Sequence, residues 1–198
     1  MRQRGFSLIE LMVALVILVL LVLAAMPSLG TWLDNTRIRN EGESLIAGMQ
    51  TARGEAVRRN MNVSFWLVQL PSGNGALAND CSLNGSSGSW MVSVSSPDSH
   101  CADAPSTTNA PMIVVGRPMG ADSGVVSVNA LQSDNSTAGT TITFNGFGRV
   151  SNSDSITRID LDGTGGSTYR KLRVVISPTG SVRLCDPAVS SSTDPRKC

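Results

Sequence analysis

A Ser-His-Asp or Cys-His arrangement needs an imidazole base, and His100 is the one histidine among 198 residues. It stands beside Cys101 in a polar, turn-rich stretch, where a lone histidine reads as solvated. Metal binding finds no C-x-x-C pair to accompany that histidine. Gly163-Thr164-Gly165-Gly166 is glycine-rich but lacks the lysine of a phosphate-binding loop. Asp160 and Asp162 alternate with Ile159 and Leu161, the pattern of a strand's solvent face rather than a paired-carboxylate site. The sequence therefore reads as no enzyme, with no cofactor and no metal. The titratable group that does ask for an explanation is Glu10, which lies inside an apolar stretch.

That stretch runs from Leu11 to Met26 without a charge, and with Phe6–Glu10 in front it carries only Glu10. A bilayer crossing takes roughly 17–25 mainly apolar residues, so 6–27 reads as a membrane or filament-core helix. Met1-Arg2-Gln3-Arg4-Gly5 in front is short and basic and would stay cytoplasmic under the positive-inside rule. A secretory signal peptide or a plain signal anchor has no use for Glu10. An acidic group at membrane depth costs about 2.5–3.5 kcal/mol on insertion scales, so it needs a cationic partner at the same depth. Cleavage after Gly5 would supply one, the new α-amino group of Phe6, beside Glu10 of a neighbouring copy. Charged residues are only 16%, and 16 Lys and Arg face 15 Asp and Glu, which excludes a strongly basic nucleic-acid scaffold.

Gly5-Phe6-Ser7-Leu8-Ile9-Glu10-Leu11-Met12 resembles the class III signal of type IV pilins and type II secretion pseudopilins. The resemblance implies that a prepilin peptidase cuts between Gly5 and Phe6 and methylates the Phe6 amine. It also implies that Phe6 and Glu10 dock the subunit into a growing filament at an inner-membrane assembly platform. Pro27 resembles the proline at which pilin helices kink or unwind, and it removes an amide donor from the ladder.

Beyond Pro27 the pattern stays helical through 28–61. Leu45, Met49, Ala52 and Ala56 recur on one face, with Arg37, Arg39, Glu41, Glu43, Arg53, Glu55, Arg58 and Arg59 mainly off it. From Phe6 to about Asn60 such a helix is on the order of 80 Å long. Gly42, Gly48 and Gly54 each cost about 1 kcal/mol relative to alanine, so this half needs a packing partner. From residue 62 the texture changes to short β-branched runs between Ser, Gly, Asn and Pro. Strands are expected at 63–70, 90–95, 113–115, 125–131, 140–144, 155–161, 172–177 and 182–184, with polar loops at 71–89 and 96–112. Pro178-Thr179-Gly180 reads as a hairpin turn. The expected class is α+β: a cleaved leader 1–5, a long helix, and an antiparallel head of two sheets over 62–198. Phe144-Asn145-Gly146-Phe147-Gly148-Arg149 resembles a late motif of the FimU, FimT and GspH-like minor pilins and pseudopilins, and its glycines suit a turn with positive φ.

Cys81, Cys101, Cys185 and Cys198 all lie in the part expected outside the cytoplasm, which favours disulfides. Proximity favours Cys81–Cys101 and Cys185–Cys198 among three possible connectivities. The resemblance, strongest to FimU-like members, implies a minor pilin at a pilus tip. Such a subunit primes assembly and joins a tip complex to the major pilin, with other minor pilins as partners. It starts as a single-pass inner-membrane precursor with a periplasmic head. The alternatives are a GspH-like pseudopilin of type II secretion and a DNA-binding, FimT-like pilin for natural transformation. The FimT branch carries Gly-Arg-x-Arg, whereas Gly180-Ser181-Val182-Arg183 lacks the first arginine. Arg170, Lys171, Arg173 and Arg183 could still form a cationic patch, diluted by Asp186 and Asp194. Loss of Arg2 and Arg4 with the leader would turn the net charge from +1 to −1, which offers DNA no general attraction. Glu10→Val is expected to insert in the membrane but to be missing from filaments, as blotting of membrane and sheared fractions would show; normal incorporation would remove the docking role.

Overall fold

The computed structural model describes residues 7–71, 75–165 and 169–198, and within these the side chains of 24–29, 121 and 122 are left aside. One helix, α1 (Leu8–Arg59), begins at Ser7, whose Oγ accepts from Glu10 N at 3.3 Å. It ends at Asn60, which takes a left-handed conformation and returns its amide to the last turn. Ser7 and Glu10 stand in the S-x-x-E spacing of a helix start, a signal the sequence carries plainly. Of the kink or unwinding expected at Pro27, the unwinding is absent, since the helix runs through it without interruption. Proline deletes one hydrogen bond and crowds one turn, and among strong helix formers such as Leu23 to Met26 that bends a helix rather than ending it.

Among the described residues nine strands follow: β1 (Val63–Gln69), β2 (Ser82–Leu83), β3 (Trp90–Ser93), β4 (Ile113–Arg117), β5 (Val126–Leu131), β6 (Thr141–Phe144), β7 (Arg158–Gly163), β8 (Leu172–Ile176) and β9 (Val182–Cys185). They make two antiparallel sheets. In the first, β1 sits centrally between β3 and β6, with β4 beyond β3 and β2 on the far end of β1. The second has the order β5-β7-β8-β9. Alternation sets which side faces inward: on β7, Ile159 and Leu161 are buried while Asp160 and Asp162 face outward. β1 is buried along nearly its whole length, because the helix covers one face and a smaller cluster covers the other.

The far half of α1 packs on both sheets. Leu45, Met49, Ala52 and Ala56 are fully buried with Ile38 in the main core. Glu41 is buried as well, against the expectation that it lies off the stripe. Its position explains this: Glu41 is four residues before Leu45 and so belongs to the stripe by spacing, whatever its charge. Its carboxylate lies under Gly88, where a methyl group would stand 2.6 Å from Oε1. At Gly48 an added methyl would lie 2.7 Å from Phe65 Cε2 and 2.9 Å from Trp90 Cδ2. At Gly42 it would lie 2.9 Å from Leu184 Cδ1 and 3.0 Å from Leu161 Cδ1. The helix thus meets the first sheet at Gly48 and the second at Gly42. Trp90 closes the first contact by donating its indole N–H to Ser44 Oγ at 3.0 Å inside the core.

The structure contains the bonds Cys81–Cys101 and Cys185–Cys198. The first ties the two long polar loops together over Val68, Met91 and Ile113. The second fixes the C-terminal tail to β9, where Asp186 and Arg196 also share a backbone hydrogen bond of 2.7 Å. The first loop contains β2, which its polar composition conceals.

Two outcomes are expected in thermal unfolding. Gly54, with nothing within 4 Å of an added methyl, should gain about 1 kcal/mol as alanine, whereas Gly48→Ala should lose stability because the aromatic rings cannot give way. Reduction should lower the melting temperature, since by chain entropy loops of this size contribute about 3 kcal/mol each; an unchanged midpoint would deny both bonds a stabilising role.

Candidate functional site

The residues singled out by sequence fall in separate regions, the first turn of α1 and the β8–β9 side of the head, where Arg170 N donates to Asn35 Oδ1 at 2.8 Å. Gly5 and Phe6 lie outside the described residues. Glu10 occupies the first turn of α1, exposed, where a carboxylate also complements the positive end of the helix dipole. From Leu8 to Leu23 the large apolar side chains are 47–74% exposed, on every side of the helix. Among the described residues, its side chains stand clear of the head. Among the described residues no helix is long and apolar enough to cross a membrane. The described side chains of the run stop at Leu23, while in the sequence it continues to Met26. An apolar cylinder with no polar face cannot lie on a protein surface, so it has to be surrounded.

The four cations of the β8–β9 side of the head do not form an open patch. Arg170 Nε pairs with Asp186 Oδ2 at 2.8 Å, and Lys171 Nζ pairs with Asp162 Oδ2 at 2.7 Å. Arg173 Nε meets Asp160 Oδ1 at 2.5 Å, directly across the β7–β8 ladder, and Arg158 shares the same carboxylate at 3.1 Å. Arg183 donates to the backbone oxygens of Lys197 and Cys198 at 2.9 and 3.2 Å, holding the tail. The Asp162 carboxylate draws the Lys171 ammonium above its usual range, so this cation is stabilised where it is. Beside it, Arg196 donates to Asp194 and keeps that carboxyl down at about 2. A phosphate arriving here would have to displace carboxylates already in place, and it would gain little from counterion release.

His100 is not simply solvated: its Nδ1 lies 2.8 Å from Asp103 Oδ2, and the contact holds the Asp103 carboxyl below its usual range. Asn79 also donates to that carboxylate, so the group serves to shape the disulfide-tied loop. Among the described residues no three His, Cys, Asp or Glu side chains stand close enough to hold a metal.

In the turn 144–149, Gly148 takes φ +71°, as a turn glycine should. Gly146 does not have positive φ; it is glycine because Asn60 lies against it, with the Asn60 Cα 3.1 Å from where a Cβ would stand. The facing turn contains Gly180 at φ +82° and closes the β8–β9 hairpin through Gly180 N to Ser177 O at 2.9 Å. Phe147, between the glycines, is exposed. Sequence reasoning gave this side chain no role, although an aromatic at a turn tip was there to be seen.

Residues 41–180, more than two thirds of the chain, match the family described as type II transport protein GspH. Residues 1–26 match the prokaryotic N-terminal methylation motif. No curated protein matches. Two solved structures of the Pseudomonas aeruginosa PAO1 type IV minor pilin FimU are similar to this chain. The P21 crystal form is 15% identical, covers 79% of this chain and 94% of its own, and has a TM-score of 0.49. The P65 form is 14% identical, covers 78% and 97%, and has a TM-score of 0.45. Proteins of this group are structural pilins, not enzymes. With the GspH match over the buried half of α1 and most of both sheets, and the methylation motif over its apolar start, the chain belongs to the GspH family of minor pilins and pseudopilins.

Proposed function

We propose that this chain is a minor pilin that sits at the tip of a type IV pilus, primes its assembly and connects a tip complex to the major pilin. The observation that carries the reading is the division of α1. One half is buried against two sheets, and the other, Leu8–Leu23, is bare and, Glu10 apart, apolar all round. Such a helix stays in a bilayer until an equally apolar environment replaces it, and the packed helices of a filament provide one. In the precursor the N-terminus is cytoplasmic and the head periplasmic. A prepilin peptidase cleaves between Gly5 and Phe6 and methylates Phe6, and the assembly platform of the inner membrane then lifts the subunit out. Glu10 on the first helical turn meets the free Phe6 amine of a neighbour, so that both charges are compensated at the same depth. The other minor pilins and the major pilin are its lateral contacts. DNA binding is not favoured, because the cations proposed for it are already engaged.

A strain lacking this protein is expected to shed far fewer surface pili than its parent, with recovery on restoring the gene. Normal piliation would defeat the priming role, and if it came with a secretion defect the chain would be a pseudopilin instead.

A further inference from the structure

Phe147 is the most exposed large apolar side chain of the head, 86% open to solvent, yet its backbone is held on all sides. Asn145 Oδ1 accepts from Phe147 N at 3.0 Å and from Arg149 N at 3.1 Å. Gly148 N donates to Asn145 O at 2.8 Å, and Asn145 N to Arg149 O at 2.9 Å. Behind the turn, Gly146 rests on Asn60, and Gly148 rests on Val57 and the Arg53 side chain. An aromatic ring is thus kept in water by a turn that cannot fold it away. Burying such a ring is favourable, and a turn whose backbone is already fixed loses little freedom when a partner takes it.

The surroundings say what kind of partner that is. Val57 and Met61, at the end of α1, are also exposed and extend the apolar surface. Arg53 and Arg149 are exposed, and among the described residues neither meets a carboxylate. One turn along the helix the contrast is plain: Arg58 and Arg59 both hold Glu55, at 2.6 and 2.7 Å, and the Arg58 contact keeps that carboxyl below its usual range. The head elsewhere pairs most of its cations, so two uncompensated arginines beside an exposed phenylalanine are a distinct feature. Aromatic and arginine side chains are what strong protein contacts centre on.

We infer that this turn docks a second protein, one whose surface offers an apolar pocket for Phe147 bordered by carboxylates that meet Arg53 and Arg149. Lipid is the wrong occupant on distance: α1 between Leu23 and Val57 is about 50 Å long, which carries the turn far from the apolar half. A twofold contact of the turn with itself would bring four like charges together, so the partner is a different surface. In a subunit oriented as proposed above, it lies on the membrane-distal side of the head. That placement rests on the proposed function, whereas the docking does not.

The test puts p-benzoylphenylalanine at position 147 of the full-length chain, expressed in its own bacterium, and irradiates the cells, with the same probe at exposed Asn135 as the control. The expected result is one dominant protein adduct at 147, mapped to a segment with Asp or Glu beside apolar residues. Arg53→Glu with Arg149→Glu should reduce it about tenfold, and changing the mapped carboxylates to lysine should restore it. An adduct no stronger than the control, one formed only with lipid or nucleic acid, or one indifferent to charge reversal would overturn the inference. Phe147→Ser should melt near the parent temperature, separating lost docking from lost folding. The piliation of the deletion strain reads the other proposal separately: a charge-dependent adduct with normal piliation removes the pilus role and keeps the docking site.

Discussion

The axis of α1 passes so near both sheets that neither Gly42 nor Gly48 has room for a methyl group. This double approach organises the head. Gly48 lets the Phe65 and Trp90 rings, 5.8 Å apart between centroids and tilted by 33°, come close under the helix, and Gly42 lets Leu161 and Leu184 of the other sheet do the same. The two sheets have no continuous ladder between them, so the helix is the element they share. Two glycines in a long helix weaken it locally by about 1 kcal/mol each, and close packing on the sheets offsets that loss. The secondary structure and the core are therefore not separable: the helix's far half stands because the sheets cover it.

The same helix then leaves the head and changes its chemistry completely. From Leu23 back to Leu8 its described side chains, Glu10 apart, are apolar and exposed in every direction. A molecule built this way is incomplete in water, since its largest apolar surface has no cover of its own. The head's own outer surface is conservative by comparison. Its cationic hairpin is matched by Asp160, Asp162 and Asp186, which suits a subunit that has to sit among others without attracting polyanions.

Much of this layout was readable in the residues, for identifiable reasons. Strands such as β5 and β8 alternate buried and outward positions, and their edges fell within a residue or two of the β-branched runs. The stripe Leu45, Met49, Ala52 and Ala56 was legible because burial follows spacing; Glu41 was misplaced because its charge was allowed to outweigh its spacing. β2 escaped notice because a two-residue strand of Ser and Leu has no periodicity to detect. The pairing of Arg173 with Asp160 depends on the register of β7 against β8, which no linear pattern contains. Gly146 showed a further limit. A glycine demanded by a neighbour distant in sequence, here Asn60, looks the same as one demanded by its own φ.

One continuous helix of 52 residues joins the apolar half to the core of the head, with no linker between. Mechanically that is a rod with one end cast into the sheets. A pull applied to the apolar end is delivered along the backbone hydrogen bonds straight to the Gly42 and Gly48 contacts, with no slack to take up first. The weakest link on that route is Pro27, where the ladder lacks one bond, and it lies outside the head. Under tension the rod would stretch there first, absorbing extension while the sheets keep their register.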